Sequence, residues 1–282
     1  MKLQLNNEWS LGDSEIDLFR KMSQILSRNY NTIFIEETHQ HYIHYHSATV
    51  NQTARREISD LWIIAYSPSK KRIRMTFLQA KYHRKDIRPT RVFHGDYFQY
   101  ELLSDRPQLI DGGRFRFPLN ILSFGCCDSL GSYGIFFVDD NKNIDMAYCC
   151  ASWLTASDTP SHYGQFIVNL SFPPHTVDEN NDNCNCNICS ELNYTCDINV
   201  FSDNLLDLKI GSELFFENSE ILFYLKNFLI RNDNIQNNTT LLNLINDDFN
   251  LNQDSGDNLF KYDGGNPYML IIDVDKKEDS KE

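Results

Sequence analysis

The chain predicts a mixed α+β fold, a sheet core flanked by helices with a β/α extension at its C-terminal end. Three observations carry this. Residues 61–66 (LWIIAY) and 74–82 (RMTFLQAKY) are dense in β-branched and aromatic side chains and are separated by Ser67, Pro68 and Ser69, which together signal a hairpin. Residues 15–26 and 212–231 carry apolar side chains at helical spacing. At 282 residues, 41% of them hydrophobic, the chain can bury a full core despite its polar average.

Taken in order, Asp13 or Ser14 can cap a first helix running to about Arg28. Its face Glu15, Phe19, Met22, Leu26, widened by Ile25, places Glu15 on the line of the buried stripe. A first-turn acid suits the helix dipole, but this position also aims it at the core. Residues 31–38 read as a strand. His39, His41, His44 and His46 follow at strand spacing with no cysteine nearby, which fits a phosphate-facing or solvated edge better than a zinc site. Residues 47–56 read as a loop. Beyond the hairpin, residues 97–104 suggest a helix ending before Pro107, and residues 111–118 a turn and short strand carrying Arg114 and Arg116. Strands are expected at 120–125, 133–138, 146–154 and 165–172, helices at 212–231 and 239–249, and a last strand at 268–272 before a charged tail.

Charge divides the chain. Residues 1–120 hold 18 Lys/Arg against 13 Asp/Glu, while residues 121–282 hold 8 against 26, so a basic half precedes an acidic one. The expected units are a working core over 1–120 and an acidic extension over 121–282. The extension comprises strands at 120–172, a Cys-rich loop at 178–197 and helices at 212–249, and is suited to a protein partner or self-association. No apolar run approaches the roughly 18 residues of a membrane span, and the first residues lack a signal-peptide core, so a cytoplasmic protein is expected. Cys126, Cys127, Cys149 and Cys150 read as buried free thiols. Cys184, Cys186, Cys189 and Cys196 could hold a structural Zn2+, although their first step is C-x-C rather than C-x2-C.

The chemistry concentrates at one end of the hairpin. Asp60 opens its first strand, and with a side-chain period of two Gln79 and Lys81 share one face of its second strand while Leu78 and Ala80 share the other. The Asp60 carboxylate, the Gln79 amide oxygen, the Ala80 carbonyl and Glu15 make an oxygen ligand set for Mg2+ or Mn2+. Lys81 can orient an attacking water and offset phosphate charge. Between residues 70 and 91 the chain carries ten basic or imidazole groups and one acid, Asp86. Lys70, Lys71, Arg72, Arg84, Lys85, Arg88 and Arg91 are the candidates for contact with a nucleic-acid backbone.

A helix acid, then Asp60, then Gln79-Ala80-Lys81 resembles the PD-(D/E)xK nuclease superfamily, in the Q-x-K variant of Mrr-like restriction endonucleases and related bacterial defence nucleases. The resemblance covers roughly residues 11–105. It implies a restriction-endonuclease-like core of a helix, a strand, a hairpin and a second helix, and metal-dependent hydrolysis of double-stranded DNA in restriction or anti-phage defence. By that pattern Glu15 resembles the first-helix glutamate, Asp60 the metal-binding aspartate, Gln79 the position that is usually acidic, and Lys81 the catalytic lysine. Ser59 stands where the signature proline would be. A glutamine at 79 removes a negative charge from the metal pocket, which makes a non-cutting nucleic-acid- or partner-binding subunit on the same fold the alternative.

Overall fold

The computed structural model describes residues 1–37, 41–113, 116–125, 127–156, 163–168, 195–231, 239–248 and 267–276. It starts with a short helix, α1 (Lys2–Glu8), pinned to the body by Asn6, whose side-chain nitrogen donates to the Ile144 carbonyl at 3.0 Å. Next comes α2 (Glu15–Leu26), which begins where a capping box sets it: Ser14 Oγ accepts from the Asp17 N–H at 3.2 Å, and Asp17 accepts from the Ser14 N–H at 3.0 Å. Leu18, Phe19, Met22, Ile25 and Leu26 form its buried stripe.

Strands β1 (Tyr30–Ile35), β2 (Tyr42–Ser47), β3 (Gln52–Glu57), β4 (Leu61–Ser67), β5 (Arg72–His83) and β6 (Val92–Asp96) follow, then α3 (Tyr97–Asp105) and β7 (Leu109–Asp111). The second half supplies β8 (Gly131–Val138), β9 (Ile144–Cys150), β10 (Leu154–Ala156), β11 (Tyr163–Val168), β12 (Thr195–Cys196), α4 (Ile198–Leu206), β13 (Ser212–Glu213), α5 (Ser219–Arg231), α6 (Thr239–Asp248) and β14 (Met269–Lys276).

An eight-stranded mixed sheet runs β1-β14-β4-β5-β8-β9-β12, with β13 added to β5. Every residue of β4 is buried, the reason its sequence is a continuous apolar run rather than an alternation. One face packs on α1, α2 and α4 through Leu5, Phe19, Ile63, Leu78 and Phe201. The other packs on α3, α5 and α6 and on two three-stranded sheets, β3-β2-β7 and β10-β11-β6, through Trp62, Phe77, Tyr133, Leu102 and Leu225. Strands from both halves of the chain share the large sheet. The last of them, β14, lies parallel to β4 and separates it from β1. The architecture is therefore an α+β fold with a central sheet flanked by helices.

Several expectations are corrected. Residues 52–57 form β3, not loop: β2 and β3 pair from Tyr42↔Glu57 to Ser47↔Gln52, and only Ala54 of β3 turns fully inward, so no apolar alternation announces the strand. Residues 119–124 make successive turns instead of a strand, and their apolar side chains, Ile121 and Leu122, anchor those turns in the core. The helix expected at 212–231 begins only at Ser219. Gly211 at φ +83° turns the chain so that Ser212 and Glu213 pair with Met75 and Arg74, and a Cβ at Gly211 would meet the Met75 carbonyl oxygen at 2.3 Å. α1, α4 and β6 went unanticipated.

Candidate active site and metal cluster

β4 and β5 are antiparallel with Leu61 opposite Leu78, so Asp60, one residue before β4, faces Gln79. Asp60 Oδ2 accepts from the Ala80 N–H at 2.8 Å and from Gln79 Nε2. The carboxylate thus takes the ladder position that β4 vacates, and its acidity is set there. Burial raises its pKa most, Glu15 adds to the rise, and Lys81, the Ala80 N–H and the Gln79 amide oppose it. Glu15, the first residue of α2, also bears on Tyr82 and His83, which places it in electrostatic reach of the same end of β5. The structure therefore brings Asp60, Gln79 and Ala80 into contact at one strand end, with Lys81 next in the strand and Glu15 in electrostatic reach.

The Gln79 amide is turned the other way from the expectation. Its nitrogen faces Asp60, so presenting its oxygen to a shared ion requires the amide to rotate and give up that hydrogen bond. The remaining oxygen donors, the Asp60 carboxylate, the Ala80 carbonyl and Glu15, suit a hard divalent cation, and such a cation would relieve the repulsion between Glu15 and Asp60.

His83 continues the face of Gln79 and Lys81 at the i, i+2, i+4 spacing of a strand. Burial, then His94 and Lys81, lower its pKa, so the imidazole is neutral near pH 7. The sequence reading counted His83 only among the basic run, although its period-two spacing from Lys81 was the available signal.

That run divides between the two ends of β5. Arg84 and Lys85 are exposed just past Lys81, as are Arg88, which is paired with Asp86 at 2.9 Å, and Arg91. Lys70 and Lys71 sit on the hairpin turn, exposed, at the opposite end. Nine residues of strand separate Arg72 from Lys81, about 30 Å. Arg72 Nε donates to Glu213 at 2.8 Å, and Arg74, with none of its side chain exposed, donates to the carbonyls of Ile210 at 3.2 Å and Gly211 at 3.0 Å. These two arginines hold β13 to β5.

A second cluster adjoins Asp60. His41 is buried, and its Nδ1 lies 3.2 Å from Glu37 Oε1 and 3.3 Å from Glu57 Oε1. This is a buried Glu/His/Glu cluster that can hold a metal ion. The His41 backbone N–H donates to Glu57, yet burial and the neighbouring Glu37 push the Glu57 pKa up to about 8. The histidine segment is thus not one solvated edge. His41 turns inward, while His44 pairs with Asp111 at 2.9 Å and His46 meets Asn51 at 3.2 Å. His39 lies outside the described residues. No spacing pattern marks residues 37, 41 and 57 as a set; the β2–β3 hairpin creates it by setting Glu57 opposite Tyr42.

Of the cysteines read as a zinc site, Cys184, Cys186 and Cys189 lie outside the described residues, and only the backbone of Cys196, on β12, is described. Cys127, Cys149 and Cys150 are buried, and Cys126 lies outside the described residues. Among the described residues no helix is long and apolar enough to cross a membrane. Compared with protein-family models, with curated proteins and with solved structures, the chain matches none of them.

Proposed function

We propose that this protein is a metal-dependent endonuclease that hydrolyses phosphodiester bonds of double-stranded DNA, a PD-(D/E)xK enzyme of the Q-x-K kind serving restriction or anti-phage defence in the cytoplasm. The observation that carries the reading is the meeting of Asp60, Gln79, Ala80 and Lys81 at one end of β4 and β5, with Glu15 in electrostatic reach. The chain order supports it as well, since α2, β1, the β4–β5 hairpin and α3 occur in the order the resemblance implies, with β2 and β3 inserted before the hairpin and β6 before α3. On this reading the acidic C-terminal half serves a protein partner or self-association.

Bound at this end, Mg2+ or Mn2+ would neutralise charge on the phosphoryl group and acidify a water. Asp60, the Ala80 carbonyl and Glu15 would hold it, joined by Gln79 once its amide has turned. Lys81 orients the attacking water and offsets charge on the phosphoryl oxygens. His83, neutral on the same face, is placed to take up the proton that the water releases. Arg84, Lys85, Arg88 and Arg91 supply backbone contacts beside the scissile bond.

A plasmid nicking assay with Mg2+, Mn2+ or EDTA tests the reading. Wild type should cut with either metal and not with EDTA. Asp60→Ala and Lys81→Ala should each lower the rate at least about 1,000-fold while melting as wild type does, the loss expected when a group acts in the transition state. An unchanged rate in Lys81→Ala sinks the proposal. One observation favours a second reading, a non-catalytic DNA-binding subunit: the Gln79 amide nitrogen, not its oxygen, faces Asp60. That reading predicts duplex retention without cutting under both metals.

A further inference from the structure

Glu37 and His41 come from the one connection between β1 and β2, and Glu57 from the end of β3, so their convergence is a product of the β2–β3 pairing. An ion bonded at about 2.0–2.2 Å spaces adjacent ligand atoms about 2.8–3.1 Å apart in octahedral array and about 3.3–3.6 Å apart in tetrahedral array. The two distances from His41 Nδ1, 3.2 and 3.3 Å, already lie within that overall span, and the three ligand atoms all lie within 4.8 Å of one another. As hydrogen bonds the same distances are long, and the single Nδ1 proton cannot serve two acids at full strength.

The surroundings also favour an ion. The His41 ring is held edge-on against Trp62, with centroids 6.0 Å apart, and against Phe117 at 5.8 Å, which fixes the direction of Nδ1. Two carboxylates and a dication sum to neutral, whereas two carboxylates alone repel at this range.

We propose that Glu37, His41 and Glu57 bind a divalent first-row transition-metal ion, such as Mn2+, Fe2+ or Zn2+, at a site separate from the Asp60 end of the hairpin. The imidazole selects this class over Mg2+ and Ca2+, which take oxygen ligands. Three protein ligands leave coordination positions open to water or to an anionic ligand. The ion ties the end of β3 to the link between β1 and β2, and so steadies the connection of residues 58–60 that presents Asp60. It stands whether or not the protein cuts DNA.

Mn2+ is the probe, because the thiolates of the Cys-rich stretch prefer softer ions. Free Mn2+ is followed by electron paramagnetic resonance during titration of the full-length Asp60→Ala protein, with Mg2+ in large excess to mask hard-oxygen sites. One Mn2+ per chain should remain bound. Adding His41→Ala or Glu57→Gln should weaken it at least tenfold, and Glu37→Gln, on a half-buried and more tolerant position, serves if either of those fails to melt cooperatively. Binding unchanged by all three substitutions overturns the proposal. So does Mn2+ that binds wild type but not Asp60→Ala, an outcome that would place the ion at the hairpin end and leave the nuclease reading intact.

Discussion

The two ends of β5 use the same residue types in opposite ways. At one end Arg72 and Arg74 are matched inside the fold, to Glu213 and to the carbonyls of Ile210 and Gly211. At the other end Glu15, Asp60, Lys81 and His83 act on one another through space, and burial raises the pKa of Asp60 there and of Glu57 in the adjoining cluster. A buried charge held by carbonyls and an acid builds structure. Acids crowded together at a strand end, with exposed cations beyond them, await something from outside. The difference teaches that the basic run is two features: an internal clamp and, some 30 Å away along the strand, an exposed edge that the nuclease reading makes the working one.

Substitution at each end should separate activity from stability. Lys81→Ala, at the working end, carries the largest expected effect, the loss of at least about 1,000-fold in cleavage, or about 4 kcal/mol of transition-state stabilisation, with no change in melting. Arg74→Met, at the clamp, should do the reverse. It leaves the Ile210 and Gly211 carbonyls without their donor and lowers stability by about 2–3 kcal/mol, read by urea denaturation, while a protein kept folded in the cold cuts at the wild-type rate. If Arg74→Met cut slowly at full stability, the division between the ends would fail.

A smaller effect distinguishes the ends by pH. Glu57 titrates near 4.5 when unfolded and at about 8 in the fold. Between those values the folded chain keeps a proton that the unfolded chain has released, so stability falls as pH rises through this window and levels off above it. Melting of the metal-free protein in chelator from pH 5.5 to 8.5 should show that decline. Glu57→Gln should flatten part of it, whereas Arg74→Met should leave the slope alone, since a guanidinium does not titrate there. Equal slopes in wild type and Glu57→Gln would show that Glu57 is not crowded in the way the fold implies.

Much of the working end was legible because it is local in sequence. The hairpin, its period-two faces and the placement of Asp60 across from Gln79 follow from residues 57–82 alone, and the Glu15 position follows from one helix face. What escaped depends on distant pairing. Arg72 looked like a phosphate contact, and Arg74 like one more charge of the basic run, because their partners, Glu213 and the 210–211 backbone, arrive more than 130 residues later beside a two-residue strand. The Glu37–His41–Glu57 set escaped because β3 (QTARRE) carries no apolar alternation, and without that strand Glu57 has no reason to meet His41. β14 was foreseen as a strand, but its parallel insertion between β1 and β4 has no local signal.

The smallest effect concerns the exposed cations, and it sharpens the boundary between the two regions. On the nuclease reading a duplex seated at the Asp60 end would meet Arg84 and Lys85, while Lys70 and Lys71 lie on the far turn. Each phosphate contact contributes to binding through counterion release, so removing one lowers the slope of log affinity against log salt by about 0.9. Arg84→Ala combined with Lys85→Ala should therefore weaken binding of a non-cleavable duplex several-fold at low salt and reduce that slope by about 2, measured by fluorescence anisotropy across a salt series. Lys70→Ala with Lys71→Ala should move neither quantity by more than the error of the fit. An equal response from both pairs would mean that bound DNA runs the length of β5, and the far turn would then belong to the working surface.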